Sequence, residues 1–165
     1  DPFIFGRGGE EAADCLAAGV PVEVVPGITA ASGCAADTLI PLTHRDAASA
    51  VTFVAGQCKG LTDQNWAGLA GKDRTLVIYM GVATSEQITE KLIADGLSPD
   101  TPVAVVENGT RGNVRAFASI LTDLGGLIER KGVKSPALII IGDVAHLGRA
   151  EISEAARHFQ GEFAQ

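Results

Sequence analysis

Five short runs of apolar and β-branched residues constrain the fold of this 165-residue chain more than any other feature. The runs occupy residues 50–55, 75–80, 103–106, 114–118 and 138–141, and helical patterns lie between them at residues 62–69, 84–94 and 121–130. Short apolar runs alternating with helices predict a layered α/β domain. The third and fourth runs are joined by residues 108–113 without a helix, which suits a hairpin-like return. We therefore expect a mixed five-stranded sheet.

The clearest helix signal covers residues 84–94. Thr84 and Gln87 have the spacing of a capping box, and Gly96 follows the last apolar residue. The helix at residues 121–130 is interrupted by Gly125 and Gly126.

Residues 1–47 have the pattern of the end of a wound α/β unit. A helix is predicted at residues 10–18 with Gly19 at its end, followed by a strand at residues 20–25. Thr29 is placed to cap a second helix at residues 30–37, and residues 41–45 form a polar loop. The predicted division is therefore a first-domain remnant at 1–47, a second α/β domain at 48–150, and a tail or terminal helix at 151–165.

Composition and charge exclude several classes of function. The formal net charge of −7 argues against sequence-independent binding of nucleic acid, whose affinity comes mostly from cations on phosphate. No apolar run reaches the roughly 18–20 residues of a membrane span, so we expect no membrane partner and a cytoplasmic location.

The cysteines and histidines indicate neither a disulfide framework nor a metal site. Cys15, Cys34 and Cys58 are widely spaced and are interpreted as small buried residues. His146 and His158 lack partners at ligand spacing, so no metal is expected.

The first eleven residues contain three glycines within four positions, directly before the first helix. Such a turn can approach a ligand closely, and a helix start favours a negatively charged group. Arg7 and Glu10 lie at this junction. A surface turn with an Arg7–Glu10 ion pair is the alternative.

Several motifs occur in an order that resembles the uroporphyrinogen-III C-methyltransferases of the tetrapyrrole methylase superfamily. After residues 1–11 they are Val25-Pro26-Gly27-Ile28-Thr29-Ala30-Ala31, Pro41-Leu42-Thr43-His44-Arg45, Tyr79-Met80-Gly81, Glu107-Asn108-Gly109-Thr110-Arg111 and Ser135-Pro136-Ala137. The resemblance runs from residue 1 to about residue 150 and implies a tetrapyrrole-methylase-like fold. It also implies about a hundred preceding residues, with a Gly-rich turn and acid–base residues, so the chain alone is expected to be inactive.

The resemblance implies S-adenosylmethionine as methyl donor, S-adenosylhomocysteine as product and uroporphyrinogen III as substrate, with a homodimer as the assembly. It assigns the donor site to Asp1, Ile4, Thr29, Ala30, Met80, Gly109 and Ala137. It assigns the substrate site to Arg7, Glu10, Arg45 and Met80. No catalytic residue is assigned within the chain; His44 is a possible general base or a structural residue.

Three hypotheses for function follow. The first is methylation of uroporphyrinogen III at C2 and C7 to precorrin-2, which feeds sirohaem and corrinoid synthesis. The second is a methylase of a later corrin intermediate or a diphthine-synthase-like enzyme. The third is a non-catalytic dimerisation or ligand-binding module.

The chain also departs from the family pattern at three places. It has Asp37-Thr38 where many relatives have Tyr-Ala, Ala55-Gly56-Gln57 where Thr-Gly-His is common, and Val114 where Gln is frequent. These departures leave the details of the substrate open.

Overall fold

A computed structural model describes residues 1–57 and 65–148 and the backbone of residues 151–152. The helices are α1 (Gly8–Ala17), α2 (Ala30–Thr38), α3 (Ser85–Ala94) and α4 (Leu124–Lys131), with short 3-10 helices at Leu121–Asp123 and Asp143–His146. The strands are β1 (Ala48–Ala55), β2 (Asp73–Tyr79), β3 (Pro102–Glu107), β4 (Arg115–Ile120), β5 (Ala137–Ile141) and β6 (Glu151–Ile152).

The strands form one mixed sheet in the order β1-β2-β5-β3-β4-β6. β1 and β2 are parallel, and every other neighbouring pair is antiparallel. The five predicted strands are confirmed, as is the hairpin-like return from β3 to β4. The two-residue strand β6, which pairs with β4, lies in the segment predicted as a tail or helix.

Both faces of the sheet are buried, which explains the near-continuous apolar runs of its central strands. On β2, Leu76 and Ile78 belong to the core that packs against α3 and α4. Val77 and Tyr79 belong to the opposite core, which α2 covers. Helix α2, which lies within the predicted first-domain remnant, therefore packs directly on the sheet.

The helix ends show which local signals were correct. α1 ends as predicted: Gly19 has φ 73°, and the N–H of Val20 donates to the carbonyl of Cys15 at 2.9 Å. The prediction of a capping box at the start of α3 is wrong. The Thr84 hydroxyl donates to the carbonyl of Gly56 at 2.8 Å instead of capping its own helix. α4 continues through Gly125 and Gly126 without interruption.

The strand predicted at residues 20–25 is absent, and all six residues are exposed without regular structure. A strand needs a neighbour to pair with its backbone N–H and carbonyl groups. Among the described residues, no strand lies beside this segment. Other predictions fall partly or wholly outside the described residues: the first part of the helix at 62–69, most of the tail at 151–165, Cys58 and His158.

No helix within the described part of the chain is long and apolar enough to cross a membrane.

A buried carboxylate joins three segments at one edge of the sheet. Glu107, at the end of β3, is 4% exposed and accepts hydrogen bonds from the side chain of Arg115 on β4 and from the backbone N–H of Lys134 at 2.7 Å. The hydrogen bond from Arg115 is the largest cause that lowers the pKa of Glu107. Glu107 therefore fixes the segment that leads into β5.

Replacing Glu107 with Gln should make stability less dependent on pH. A carboxylate whose pKa is lowered by folding stabilises the protein above its unfolded pKa, about 4.3, and this contribution is lost as the pH falls through the folded value. Chemical denaturation at neutral pH should show a loss of about 1–3 kcal/mol in the Glu107→Gln variant. The difference from the parent should shrink under acidic conditions. Glu90→Gln, on an exposed helix position, is the control, and a difference that is constant with pH would contradict the linkage.

Candidate functional site

A cavity of about 1250 Å³ lies at one edge of the sheet. At this edge β1, β2 and β3 end and β4 and β5 begin, because of the strand directions. The cavity lies between α2 and the segments that adjoin β2, β3 and β5. Its lining residues are Ile28, Thr29, Ala30, Ser32, Gly33, Cys34, Ala36, Asp37, Tyr79, Met80, Val106, Gly109, Thr110, Arg111, Ser135, Pro136, Ala137 and Leu138.

Tyr79 holds the start of α2 against the end of β2. Its hydroxyl lies 2.5 Å from the Thr29 hydroxyl and accepts a hydrogen bond from the buried N–H of Ala31 at 2.9 Å. Its ring packs near Phe5 and Phe53, with centroid distances of 4.8 and 5.9 Å. Thr29 does not cap the helix with its side chain, because its hydroxyl is engaged by this tyrosine.

Three residues at this edge have a left-handed backbone that side chains rarely adopt. Met80 has φ 57°, Asn108 has φ 53° and Thr110 has φ 65°. The conformation is least favourable for a β-branched residue such as Thr110. Such conformations persist where the surrounding structure restrains them, and they cluster at functional sites.

The link between β3 and β4 packs closely on α2. A Cβ atom on Gly109 would lie 2.3 Å from the Sγ of Cys34, so the backbone can approach the helix only with glycine at this position. Burial raises the pKa of the Cys34 thiol to about 11, with the charge of Asp37 as a second cause. The thiol is therefore a packing group and is a poor nucleophile.

The third wall of the cavity is the segment that enters β5. The Ser135–Pro136 peptide bond is cis. The carbonyl of Pro136 accepts a hydrogen bond from the N–H of Asn108 at 3.0 Å. This bond joins the third wall to the link between β3 and β4.

The structure brings together five of the seven residues predicted to bind the donor. Thr29, Ala30, Met80, Gly109 and Ala137 all line the cavity although they come from four separate segments. Asp1 and Ile4 are outside the lining.

Both carboxylate oxygens of Asp1 are engaged by the chain itself. One oxygen accepts from the N–H of Phe3 at 2.8 Å, and the other accepts from the N–H of Gly27 at 3.1 Å. Asp1 thus connects the opening turn to the segment that precedes α2.

The predicted substrate residues are more scattered. Arg7 and Glu10 form the alternative ion pair, with 2.5 Å between Nε and Oε2 and side chains 81% and 63% exposed. The neighbouring Phe5 contacts Tyr79, so this turn lies beside the cavity. Arg45 is exposed and precedes β1, so it lies at the opposite edge of the sheet.

His44 is part of a tight turn. Its N–H donates to the carbonyl of Ala48 at 2.9 Å, and its Nδ1 accepts from the N–H of Asp46 at 3.2 Å. These bonds favour the structural interpretation of this histidine. Within residues 1–57 and 65–148, no three His, Cys, Asp or Glu side chains form a group that could hold a metal ion.

The glycines of the opening turn serve the chain's own packing. A Cβ atom on Gly6 or Gly8 would lie 2.8 or 2.7 Å from the carbonyl oxygen of Pro2. The turn therefore closes around Pro2, and this explains two of its three glycines without a ligand.

Sequence reasoning assigned no role in binding to Tyr79, Asp37, Thr110, Arg111 or Ser135, which also line the cavity. Tyr79 carried a signal, since it is the only tyrosine and directly precedes Met80 in a quoted motif. The sequence marks Asp37 only as a departure from the family pattern.

Comparisons with known proteins agree with this architecture. The chain is 53% identical over 148 residues to a siroheme synthase of Stutzerimonas stutzeri strain A1501, which covers 89% of the chain and 32% of that protein. It is 37% identical to the uroporphyrin-III C-methyl transferase of Thermus thermophilus, solved in complex with S-adenyl homocysteine, with a TM-score of 0.74 over 89% of the chain and 64% of that structure. A cobalt precorrin-4 methyltransferase, 24% identical with a TM-score of 0.78 over 88% of the chain and 62% of that structure, shares the fold.

The chain thus spans about a third of the length of the curated relatives it matches. The sequence profile of the family described as Tetrapyrrole (Corrin/Porphyrin) Methylases matches residues 1–125. Since the profile covers most of the chain and the fold of solved relatives is the same, this chain belongs to the tetrapyrrole methylase family.

Proposed function

We propose that the protein containing this chain transfers methyl groups from S-adenosylmethionine to C2 and C7 of uroporphyrinogen III and so forms precorrin-2. The observation that carries the proposal is the convergence of Thr29, Ala30, Met80, Gly109 and Ala137 on one cavity. The similarity to a uroporphyrin-III C-methyl transferase solved with S-adenyl homocysteine supports the same ligand class. The product would feed sirohaem or cobalamin synthesis.

The walls of the cavity fit an adenosyl donor. Its volume exceeds the roughly 300–1,000 Å³ of sites for drug-sized ligands, which leaves room for a second, larger reactant. Apolar surface from Ile28, Met80, Val106 and Pro136 suits a nucleoside and a thioether, and Met80 is 46% exposed toward solvent. Polar groups of Thr29, Thr110 and Ser135 can fix its orientation.

When bound, the donor would supply a methyl group from a positively charged sulfur, leaving S-adenosylhomocysteine as a neutral thioether, and the methylated tetrapyrrole would release one proton. The chain's residues would contribute binding, orientation and exclusion of water, and positioning and desolvation supply much of the rate in such a displacement. Tyr79 and Thr29 fix the start of α2, and Gly109 fixes the opposite wall.

A tetrapyrrole with many carboxylates requires cationic groups beside the donor site. Arg111 lines the cavity and is exposed. The turn with Arg7 and Glu10 lies beside it through the contact of Phe5 with Tyr79. We propose that Arg7 and Arg111 bind substrate carboxylates, with Glu10 accepting hydrogen bonds from pyrrole N–H groups.

The reaction is tested with the complete protein encoded by the gene, S-adenosylmethionine and either uroporphyrinogen III or precorrin-2. We expect uroporphyrinogen III to gain two methyl groups by mass spectrometry. Methylation of precorrin-2 alone would favour an enzyme of a later corrin step. Binding of S-adenosylhomocysteine without turnover of either tetrapyrrole would favour the non-catalytic module.

Replacing Gly109 with Ala should weaken donor binding. The new Cβ atom would force the link between β3 and β4 away from Cys34, and overpacking of this kind costs about 1–3 kcal/mol. Calorimetry with S-adenosylhomocysteine should show lower affinity for Gly109→Ala. The matched control is Gly112→Ala in the same link, where a Cβ atom would meet nothing within 4 Å. Equal effects of the two variants would contradict this role of close packing.

Replacing Tyr79 with Phe should lower both stability and donor affinity. The variant keeps the ring but leaves the buried N–H of Ala31 without an acceptor, at a cost of about 1–3 kcal/mol in the free energy of unfolding. Because Thr29→Val removes the other side of the same hydroxyl pair, the two changes should be non-additive in a double-mutant cycle on the affinity for S-adenosylhomocysteine. Additive effects would show that the two hydroxyls act independently.

A further inference from the structure

The second half of α2 is joined to the link between β3 and β4 by a single carboxylate. Asp37, near the end of α2, accepts a hydrogen bond at Oδ2 from the backbone N–H of Thr110 at 2.8 Å. The two residues are 73 positions apart in sequence, and both line the cavity. This hydrogen bond therefore joins α2 to the link between β3 and β4, which otherwise contact each other by packing.

Thr110 is the residue in this wall that most needs a restraint. Its φ of 65° is unfavourable for a β-branched side chain. Asn108, two positions earlier, is also left-handed, with φ 53°. Gly109 between them must keep its close approach to Cys34 for the wall to hold its shape.

The other restraints on this segment act on its ends. The N–H of Asn108 donates to the carbonyl of Pro136, and the N–H of Arg111 donates to the carbonyl of Asn108, both at 3.0 Å. A Cβ atom on Gly33 would lie 3.0 Å from the Cγ2 of Thr110, so glycine at this position lets the threonine side chain approach the helix closely. Asp37 supplies the hydrogen bond that acts on the strained residue itself.

We infer that Asp37 is a positioning residue for the methyl-donor site, which holds Gly109 and Thr110 in the conformation that receives the adenosyl group. The inference rests on the proposed function. Thr110 is exposed, so water can satisfy its N–H when the carboxylate is removed. Loss of Asp37 should therefore broaden the conformations of the wall while global stability changes little.

Three variants of the complete gene product test this role: Asp37→Ala, Asp37→Asn and Asp14→Ala. Asn keeps an oxygen that can accept the Thr110 N–H, whereas Ala removes it. Asp14 is an exposed helical aspartate on α1 and outside the cavity lining, so it is the matched control. Affinity for S-adenosylhomocysteine is measured by calorimetry, and amide hydrogen exchange at Thr110 is measured without ligand.

For Asp37→Ala we expect faster amide exchange at Thr110 and a dissociation constant for S-adenosylhomocysteine about tenfold higher. A tenfold increase corresponds to a cavity wall that adopts the binding geometry in about a tenth of the molecules. Asp37→Asn and Asp14→Ala should stay within about twofold of the parent. Unchanged exchange or unchanged affinity in Asp37→Ala would overturn the assignment. An equal loss in Asp37→Asn would also overturn it, because the charge and not the accepted hydrogen bond would then matter. If the parent itself does not bind S-adenosylhomocysteine, the proposed function fails, and the exchange measurement still reports on the Asp37–Thr110 bond.

Discussion

The close approach of the β3–β4 link to α2 is the constraint on which the cavity depends. It requires a residue without a side chain at Gly109, since a Cβ atom there would overlap Cys34. Tyr79 fixes the start of the same helix through its hydrogen bond with the N–H of Ala31. A helix held at its start and at its middle over the edge of a sheet leaves a space beneath it whose walls cannot move independently. The cavity is therefore a consequence of how α2 is held against the sheet.

The parts of the fold that could be predicted from the sequence are those in which local pattern and tertiary packing agree. β2, β3 and β5 are apolar on both faces because cores lie on both sides of the sheet, so their sequence runs were sufficient. Gly19 ends α1 because the backbone there needs a positive φ that glycine adopts freely. Where contacts between distant parts of the chain determine the local structure, predictions from local sequence patterns were wrong. The Thr84 hydroxyl reaches a carbonyl 28 residues away instead of its own helix, and residues 20–25 have strand-like side chains without a strand beside them.

The site was less accessible to physical reasoning than the fold. Thr29, Met80, Gly109 and Ala137 are ordinary residue types, and only the order of the motifs around them indicated a common site. Residue chemistry by itself pointed to the glycine turn, and the resemblance alone pointed to Arg45. The structure shows that Gly6 and Gly8 accommodate Pro2, and that Arg45 lies at the opposite edge of the sheet. Asp37 and Tyr79 were not assigned to the site because their importance comes from hydrogen bonds to residues 73 and 48–50 positions away, which no local pattern reveals.

Backbone strain at the cavity edge follows from the sharp change of chain direction where strands end there. Strands that end at a cavity must turn aside at once, and Met80 and Asn108 do so directly after β2 and β3 with a left-handed backbone. Each such conformation has a cost of order 1–3 kcal/mol, so it must be held by bonds made elsewhere. Glu107, Pro136 and Asp37 provide those bonds on the side of β3. A wall that is strained but restrained on several sides has few alternative conformations, which suits the fixed geometry that the proposed methyl transfer would need. The same bonds that offset the strain therefore also make the wall rigid.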